Sequence, residues 1–430
     1  MQLTGRLSGS ISGKQNKSQR SNKVLTASKT RDIFLTVFFA ASIFAIIAPA
    51  CRAASDFGSD LQVLKKYTDV VVLSNKSGSE QVAVVPKYEG RVMTSTAGGA
   101  GGLSFGFINI PVISSGKLTP HMNQFGGEDR IWLGPEGGQF GLFFKKGDPF
   151  DLTHWQVPPS VDSDAWKVQS QDSNSVSFQK NISEFNYAGT KFSVVIDRTV
   201  RLLSPGQVAS DLKGTISGDI HFAAYESVNK LTNAQPTAFI RGKGLLSLWD
   251  LGQFNAGPTT VVVLPFKKGP VDKLGIIVND TYFGKVPADR LKVDNDAGVI
   301  AFKADGHHRS KIGENARRAT PNYGSYDTLH HVLTVIQYSS SKTSRDFVNS
   351  MWEIQKNPFG GDELNSYNDG GAFGPYYEIE SSSPAVALGP GESITHVHRT
   401  IHLQGPPSEL DPIAFRLFGV HLSQISGEFK

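Results

Sequence analysis

The chain has 430 residues with 43 Lys+Arg against 39 Asp+Glu, but the basic excess is local. Residues 1–54 hold eight basic side chains and one acid, leaving 35 basic and 38 acidic side chains from residue 55 onward; that balance gives no ground for nucleic-acid binding. Cys51 is the only cysteine, which excludes a thiolate zinc site, a cysteine nucleophile and a disulfide framework from the remainder, and about 375 residues bury enough core to fold without disulfides.

Residues 1–31 are rich in Ser, Lys and Arg, and the uncharged run IFLTVFFAASIFAIIAPA follows from Ile33 to Ala50. A basic stretch, then an apolar one ending in small residues (Ala48-Pro49-Ala50), is the pattern of an export signal. Eighteen apolar residues also approach the length of a membrane span, so cleavage and retention as an anchor are both open, with the small-residue ending favouring cleavage. A lipid on Cys51 is a third option, weakened by Ala48, where a lipoprotein signal carries a larger aliphatic residue. In each case this segment is the only membrane contact expected. Residues 55–430 are then exported, to the periplasm or the medium.

A short helix is expected over Asp60 to Tyr67, with Asp60 as its N-cap. Beyond it the texture is β. The runs DVVVLS (69–74), QVAVVP (81–86), KFSVVIDRTVRLL (191–203), TTVVVLPF (259–266), LGIIVN (274–279) and HHVLTVIQYS (330–339) are rich in β-branched and aromatic residues. Turn clusters such as NKSGS, SPGQ, NAGP and GPGES separate them. One amphipathic helix is expected over TSRDFVNSMWEIQKN (343–357), on Phe347, Met351 and Ile354. No fixed-period repeat is present. Many strands, little helix and no central linker predict one all-β domain over residues 55–430, a large antiparallel β-sandwich with few short helices.

Two stretches carry chemistry. GGEDRIWLGPEGGQFG (126–141) sets acids, an arginine and a tryptophan among six glycines. If extended, it presents Arg130 and Trp132 on one side, a planar donor fork beside an apolar platform. Asp129 and Glu136 add ligand-contacting carboxylates, and the glycines permit close backbone approach. The plain alternative is a hairpin turn in which Arg130 pairs structurally with Glu128 or Glu136.

The second stretch is YYEIE (376–380), whose alternation puts Glu378 and Glu380 on one face. Enclosed there, each carboxylate raises the other's pKa and is poised as a general base. The preceding GGDELNSYNDGGAFGPYYE (360–378) reads as a long rim loop offering Tyr367 and Asn368. His330 and His331 sit in a strand-like run and face opposite sides, with His331 a candidate acid. His396, His398 and His402 share a face read as an exposed strand surface, and no metal is expected there. GGAGG (98–102) lacks the Lys-Ser/Thr of a phosphate loop, and no cofactor is expected.

Three segments, LSNKSGSEQVAVVPKYEGRVMTST (73–96), DRI (129–131) and YYEIESSSPAVALGPGESITHVHRTIHL (376–403), resemble the aldose 1-epimerase, or galactose mutarotase-like, superfamily. In the last, Ile379-Glu380, Pro384, Leu388, Pro390-Gly391-Glu392 and His396 fall into the family's pattern, and the chain looks closest to that family's uncharacterised exported relatives. The resemblance implies a galactose mutarotase-like supersandwich and a carbohydrate ligand. It places Glu380 where the family has its base and Arg130 where an arginine contacts sugar. It fails at the family's Thr-Asn-His motif, whose histidine is the general acid: here Thr232-Asn233 is followed by Ala234. A sugar-processing enzyme with a carboxylate base, epimerase-like or related, is therefore the first reading. A non-catalytic exported carbohydrate-binding protein is the second, and a surface protein with plain glycine turns the third.

Overall fold

A computed structural model describes residues 55–341 and 344–429; residues 1–54, on which the expected export signal and Cys51 fall, lie outside the described residues. Every pairing between its strands is antiparallel. The larger sheet has ten strands, in the order Leu291–Asp294, Val299–Lys303, Thr260–Pro265, Asn322–Asp327, Val332–Tyr338, Ser393–Gln404, His221–Asn233, Lys191–Leu202, Ser175–Phe185 and Lys167–Gln171. The second has five: Ser310–Glu314, Leu364–Asn368, Tyr376–Ser382, Ser247–Asn255 and Arg130–Gly134. A three-stranded sheet, Val71–Ser74, Gln81–Val85 and Arg91–Thr96, packs against the first helix, Phe57–Tyr67, through Phe57, Leu64, Ala83, Val85 and Met93. The β-sandwich with few short helices expected from the sequence is what the chain forms.

Period-two alternation builds the layers. Along Ser393–Gln404, Ile401 and Leu403 point outward and pack on Leu410, Ile413 and Leu417 of the C-terminal helix Pro407–Phe418. The alternate residues His396, His398 and His402 point inward and bond to groups carried by the five-stranded layer and the loop before it. Ile312, Leu364, Tyr377 and Ile379 of the five-stranded sheet meet Val262, Leu264, Ile300, Phe302 and Ile336 of the ten-stranded one. Each such aliphatic contributes about 1.5–3 kcal/mol on burial. Because these residues fill the inter-sheet core, their neighbours in sequence must face the opposite side of the smaller sheet, and the site lies there.

Part of the inter-sheet seam is polar. Arg198 is ion-paired with Asp129 and donates to Asn229 Oδ1 at 2.8 Å. Asp250 Oδ2 accepts from Ser227 Oγ at 3.0 Å and Asn229 Nδ2 at 3.1 Å. His402 Nε2 lies 2.9 Å from Glu128 Oε2, and Ser381 Oγ lies 2.8 Å from both His396 Nε2 and His398 Nδ1. The three histidines are at most 1% exposed, which corrects the exposed-face expectation: their strand is central in the large sheet and covered on both sides. Burial pushes His396 down to about 3 and His398 down to about 4.

Other local expectations are corrected as well. The first helix starts at Phe57, and its N-cap is Asp56, which accepts Ser59 N–H at 2.8 Å from an extended backbone; Asp60 lies buried in the first turn. Described from residue 344, the 343–357 segment forms no helix. Phe347 instead bridges Gly360, and Gln355 Nε2 donates to the carbonyls of Asn349 and Met351, both at 2.8 Å. LGIIVN is not a strand, because a short helix, Val271–Leu274, occupies its start and only Asn279 forms a bridge, to Gly313. His330 and His331 lie in the turn before Val332–Tyr338, where His331 is exposed with φ 52°.

Candidate functional site

Tyr376–Ser382 is the central strand of the five-stranded sheet. With Tyr377 and Ile379 committed to the inter-sheet core, Glu378 and Glu380 share the outer face. Lys311, on one edge strand, reaches across Leu364–Asn368 and donates to Glu380 at 3.0 Å (Oε1) and 2.8 Å (Oε2). Arg130, on the opposite edge strand, reaches across Ser247–Asn255 and donates to Glu378 Oε1 at 2.8 Å. The register sets this up: Glu380 pairs with Leu251, which pairs with Arg130, while Glu378 pairs with Gln253 and, on its other side, with Tyr367, which pairs with Lys311.

The two glutamates end up in different states. Glu380 is fully buried, held by Lys311 on both oxygens and by Trp249 Nε1 at 2.9 Å. Glu378 takes both of its bonds, from Arg130 and from Gln253 Nε2 at 2.8 Å, on Oε1. Its Oε2 has no hydrogen-bond partner among the described residues. Burial raises the Glu378 pKa, Arg130 opposes the rise and the Glu380 charge reinforces it.

Above this floor is a cleft of about 330 Å³. Trp132, Trp155, Trp249, Trp352, Tyr282 and Tyr376 wall it, with Leu152, Phe283 and Arg309 around them. Arg130 sits 4.2 Å over the Trp132 ring and Lys311 4.8 Å over that of Trp249, so both cations are held by faces as well as by carboxylates. Glu136 enters from the glycine-rich stretch, its Oε1 accepting from Trp352 Nε1 at 3.0 Å and its backbone N–H donating to Ser350 Oγ at 3.2 Å. Gly137 is required there, since a Cβ would lie 2.6 Å from the Met351 carbonyl oxygen. Asp362 completes the polar lining, accepting from Tyr282 Oη at 2.6 Å and Asn279 Nδ2 at 3.1 Å; burial raises its pKa.

The structure brings together Arg130, Trp132, Glu136, Tyr367 and Glu378, with Glu380 beneath Lys311. Asp129 lies on the inter-sheet side with Arg198, as the alternation that aims Arg130 at the cleft requires. Asn368 is also turned away, donating to the His308 carbonyl at 2.8 Å and accepting from Gly306 N–H at 2.8 Å. The expected rim loop is largely strand, Leu364–Asn368, so its residues alternate too. His331 is outside the cleft, and no histidine is among the described residues that line it. Lys311, Trp155, Trp249, Trp352 and Asp362 were missed by sequence reasoning. Only the tryptophans carried a signal, being rare and large.

The fold and site define a class: an antiparallel β-sandwich with a concave, tryptophan-walled cleft floored by paired carboxylates and cations. The chain belongs to the family of unknown function DUF6786, which it matches over residues 55–429. No functionally curated protein matches it in sequence. Among solved structures it is similar to the Slr1438 protein from Synechocystis sp. PCC 6803 (TM-score 0.47, 11% identity, 79% of this chain and 96% of that one). It is also similar to a putative aldose 1-epimerase from Escherichia coli K12 (0.44, 11%, 77% and 98%) and to a galactose mutarotase-like protein from Lactobacillus casei (0.42, 10%, 78% and 100%).

Proposed function

We propose that this is an exported carbohydrate-active protein that holds a sugar in the cleft and works on it with a carboxylate general base. The observation carrying this reading is the Glu378–Glu380 pair on the floor of an aromatic-walled cleft. Pockets of a few hundred Å³ with apolar walls and few convergent polar groups are suited to small ligands. Flat rings match the apolar faces of a pyranose, and Arg309, Asn365 and Asp362 offer hydrogen bonds to its hydroxyls. Glu378 is the better-placed base, because its Oε2 is free while Glu380 is covered by Lys311. In an aldose 1-epimerase-like reaction it would take the anomeric hydroxyl proton. Export rests on the order of residues 1–50 alone.

A non-catalytic sugar-binding protein is the second reading, favoured by Asn233. Its side chain is spent on the carbonyls of Thr237 and Leu388, both at 2.9 Å, and Ala234 follows it. The test is the melting temperature of the purified protein against neutral sugars, uronic acids and oligosaccharides. A ligand at 100 times its Kd stabilises by about 2.7 kcal/mol, so a shift confined to one sugar class is expected. No shift with any of them would sink both readings.

A further inference from the structure

Four carboxyls are presented in or beneath the cleft, and Asp362, without an ion-pair partner among the described residues, accepts from both Tyr282 Oη and Asn279 Nδ2. Glu378 is bonded to Arg130, and Glu380 to Lys311. Glu136 has no cationic partner within ion-pair distance among the described residues, and its hydrogen bond from Trp352 Nε1 ends on Oε1. It is part-exposed to the cleft, on the wall formed by the glycine-rich stretch, whereas Glu378 lies on the floor formed by the central strand. Burial beside the Trp352 indole favours the neutral carboxyl of Glu136 over its carboxylate.

We infer that Glu136 is the proton donor of the cleft, the general acid that complements the glutamate base, taking the place of a histidine, which none of the described cleft-lining residues supplies. The inference rests on the sugar reading of the cleft. In the reaction it implies, Glu378 removes the proton of the anomeric hydroxyl as Glu136 gives its own proton to the ring oxygen. The bond between the anomeric carbon and that oxygen breaks, its electron pair leaves with the oxygen, and the carbonyl of the open chain forms. Rotation about the adjacent carbon–carbon bond and the reverse transfers close the other anomer and return both protons. No oxidant, reductant or co-reactant is consumed.

The electrostatics agree with this geometry. Burial, the largest effect, pushes the Glu136 carboxyl up to about 7; Lys311 and the Trp352 and Trp155 indoles pull it down, and the Glu380 charge pushes it up again. A group half-protonated near neutrality is suited to proton transfer in either direction.

Two measurements on the purified protein test the inference. With glutamate carboxyls labelled with carbon-13, the parent is expected to show a resonance titrating with a midpoint near 7 that disappears in Glu136→Gln. Anomer exchange of D-galactose and D-glucose, followed by NMR, is expected to fall about 100-fold or more in Glu136→Gln, while the sugar-dependent melting shift stays at the parental size. A Glu136 resonance titrating in the ordinary carboxylate range overturns the assignment, and so does exchange by Glu136→Gln at the parental rate. Glu136→Asp, which keeps the acid and shortens its reach, is expected to retain part of the rate; exchange no better than that of Glu136→Gln counts against proton donation. If the parent binds these sugars and exchanges no anomers, the inference falls and the binding-protein reading stands; if it binds no sugar of any class, the sugar reading falls as well.

Discussion

Lys311 and Arg130 stand on opposite edge strands of the five-stranded sheet, and each reaches over one strand to a glutamate of the central one. The arrangement neutralises two carboxylates that neighbour each other on one face while leaving one oxygen, Glu378 Oε2, unclaimed. A sheet is well suited to this, because registered strands fix cross-strand neighbours at spacings that long side chains can bridge.

Glu378→Gln is expected to lower turnover of the sugar identified by the melting screen by about 10²–10⁴-fold with binding nearly unchanged. Glu380→Gln is expected to act differently. It strips Lys311 of its partner, so it should weaken binding and stability along with rate. Steady-state kinetics beside melting curves separate the two outcomes. Equal rates for Glu378→Gln and the parent would remove Glu378 as base.

Lys311→Met is expected to destabilise the protein by about 3–5 kcal/mol, because it leaves the fully buried Glu380 carboxylate without its cation. Lys311→Met combined with Glu380→Gln should recover much of that loss, since the orphaned charge is then gone. Urea unfolding of the two single variants and the double variant measures the coupling. Strict additivity would mean that the pair does not interact.

Stability should respond to pH through two opposed and partly overlapping contributions. His396 and His398 titrate at about 3 and about 4 in the fold against roughly 6.5 unfolded. The unfolded chain therefore binds more protons below 6.5, and their contribution is lost as the pH falls. Glu80, desolvated with its Oε1 accepting Ala224 N–H at 2.7 Å, is pushed up to about 7. It keeps a proton that the unfolded chain has released, so its contribution is lost as the pH rises from about 4.5 through 7. His396→Gln with His398→Gln should flatten the melting-temperature loss on the acid side, and Glu80→Gln the loss approaching neutrality. An unchanged acid limb in the double histidine variant would contradict the first assignment.

Four of the five tryptophans line the cleft, and the fifth, Trp166, is 2% exposed elsewhere. A bound sugar should therefore change intrinsic fluorescence in a saturable way, with the same midpoint as the melting shift. Replacement of Trp132 by Phe should reduce the amplitude and weaken binding. A melting shift with no fluorescence change would place the ligand away from this cleft.

Much of the architecture was legible in local sequence. Alternation in YYEIE put Glu378 and Glu380 on one face, and the same rule in DRIW paired Arg130 with Trp132. It also implied that Asp129 faces away from both, so its assignment to the ligand ran against the period. The 343–357 segment shows the opposite limit. Its helical spacing is real, yet Phe347 is buried beside Gly360 while Val348, Met351 and Trp352 all line the cleft. Tertiary contacts outweighed a modest helix propensity.

The sequence by itself determined the β texture, the alternation and the identity of the floor carboxylates, because these depend on neighbours two residues apart. Only the tertiary structure decided which face of each strand was buried, whether the histidines of Ser393–Gln404 met solvent or a second sheet, and which cations met which acids. Lys311 lies 69 residues from Glu380, and Arg130 lies 248 from Glu378. No local pattern encodes such pairs; they follow from strand order and register, which the whole chain sets together.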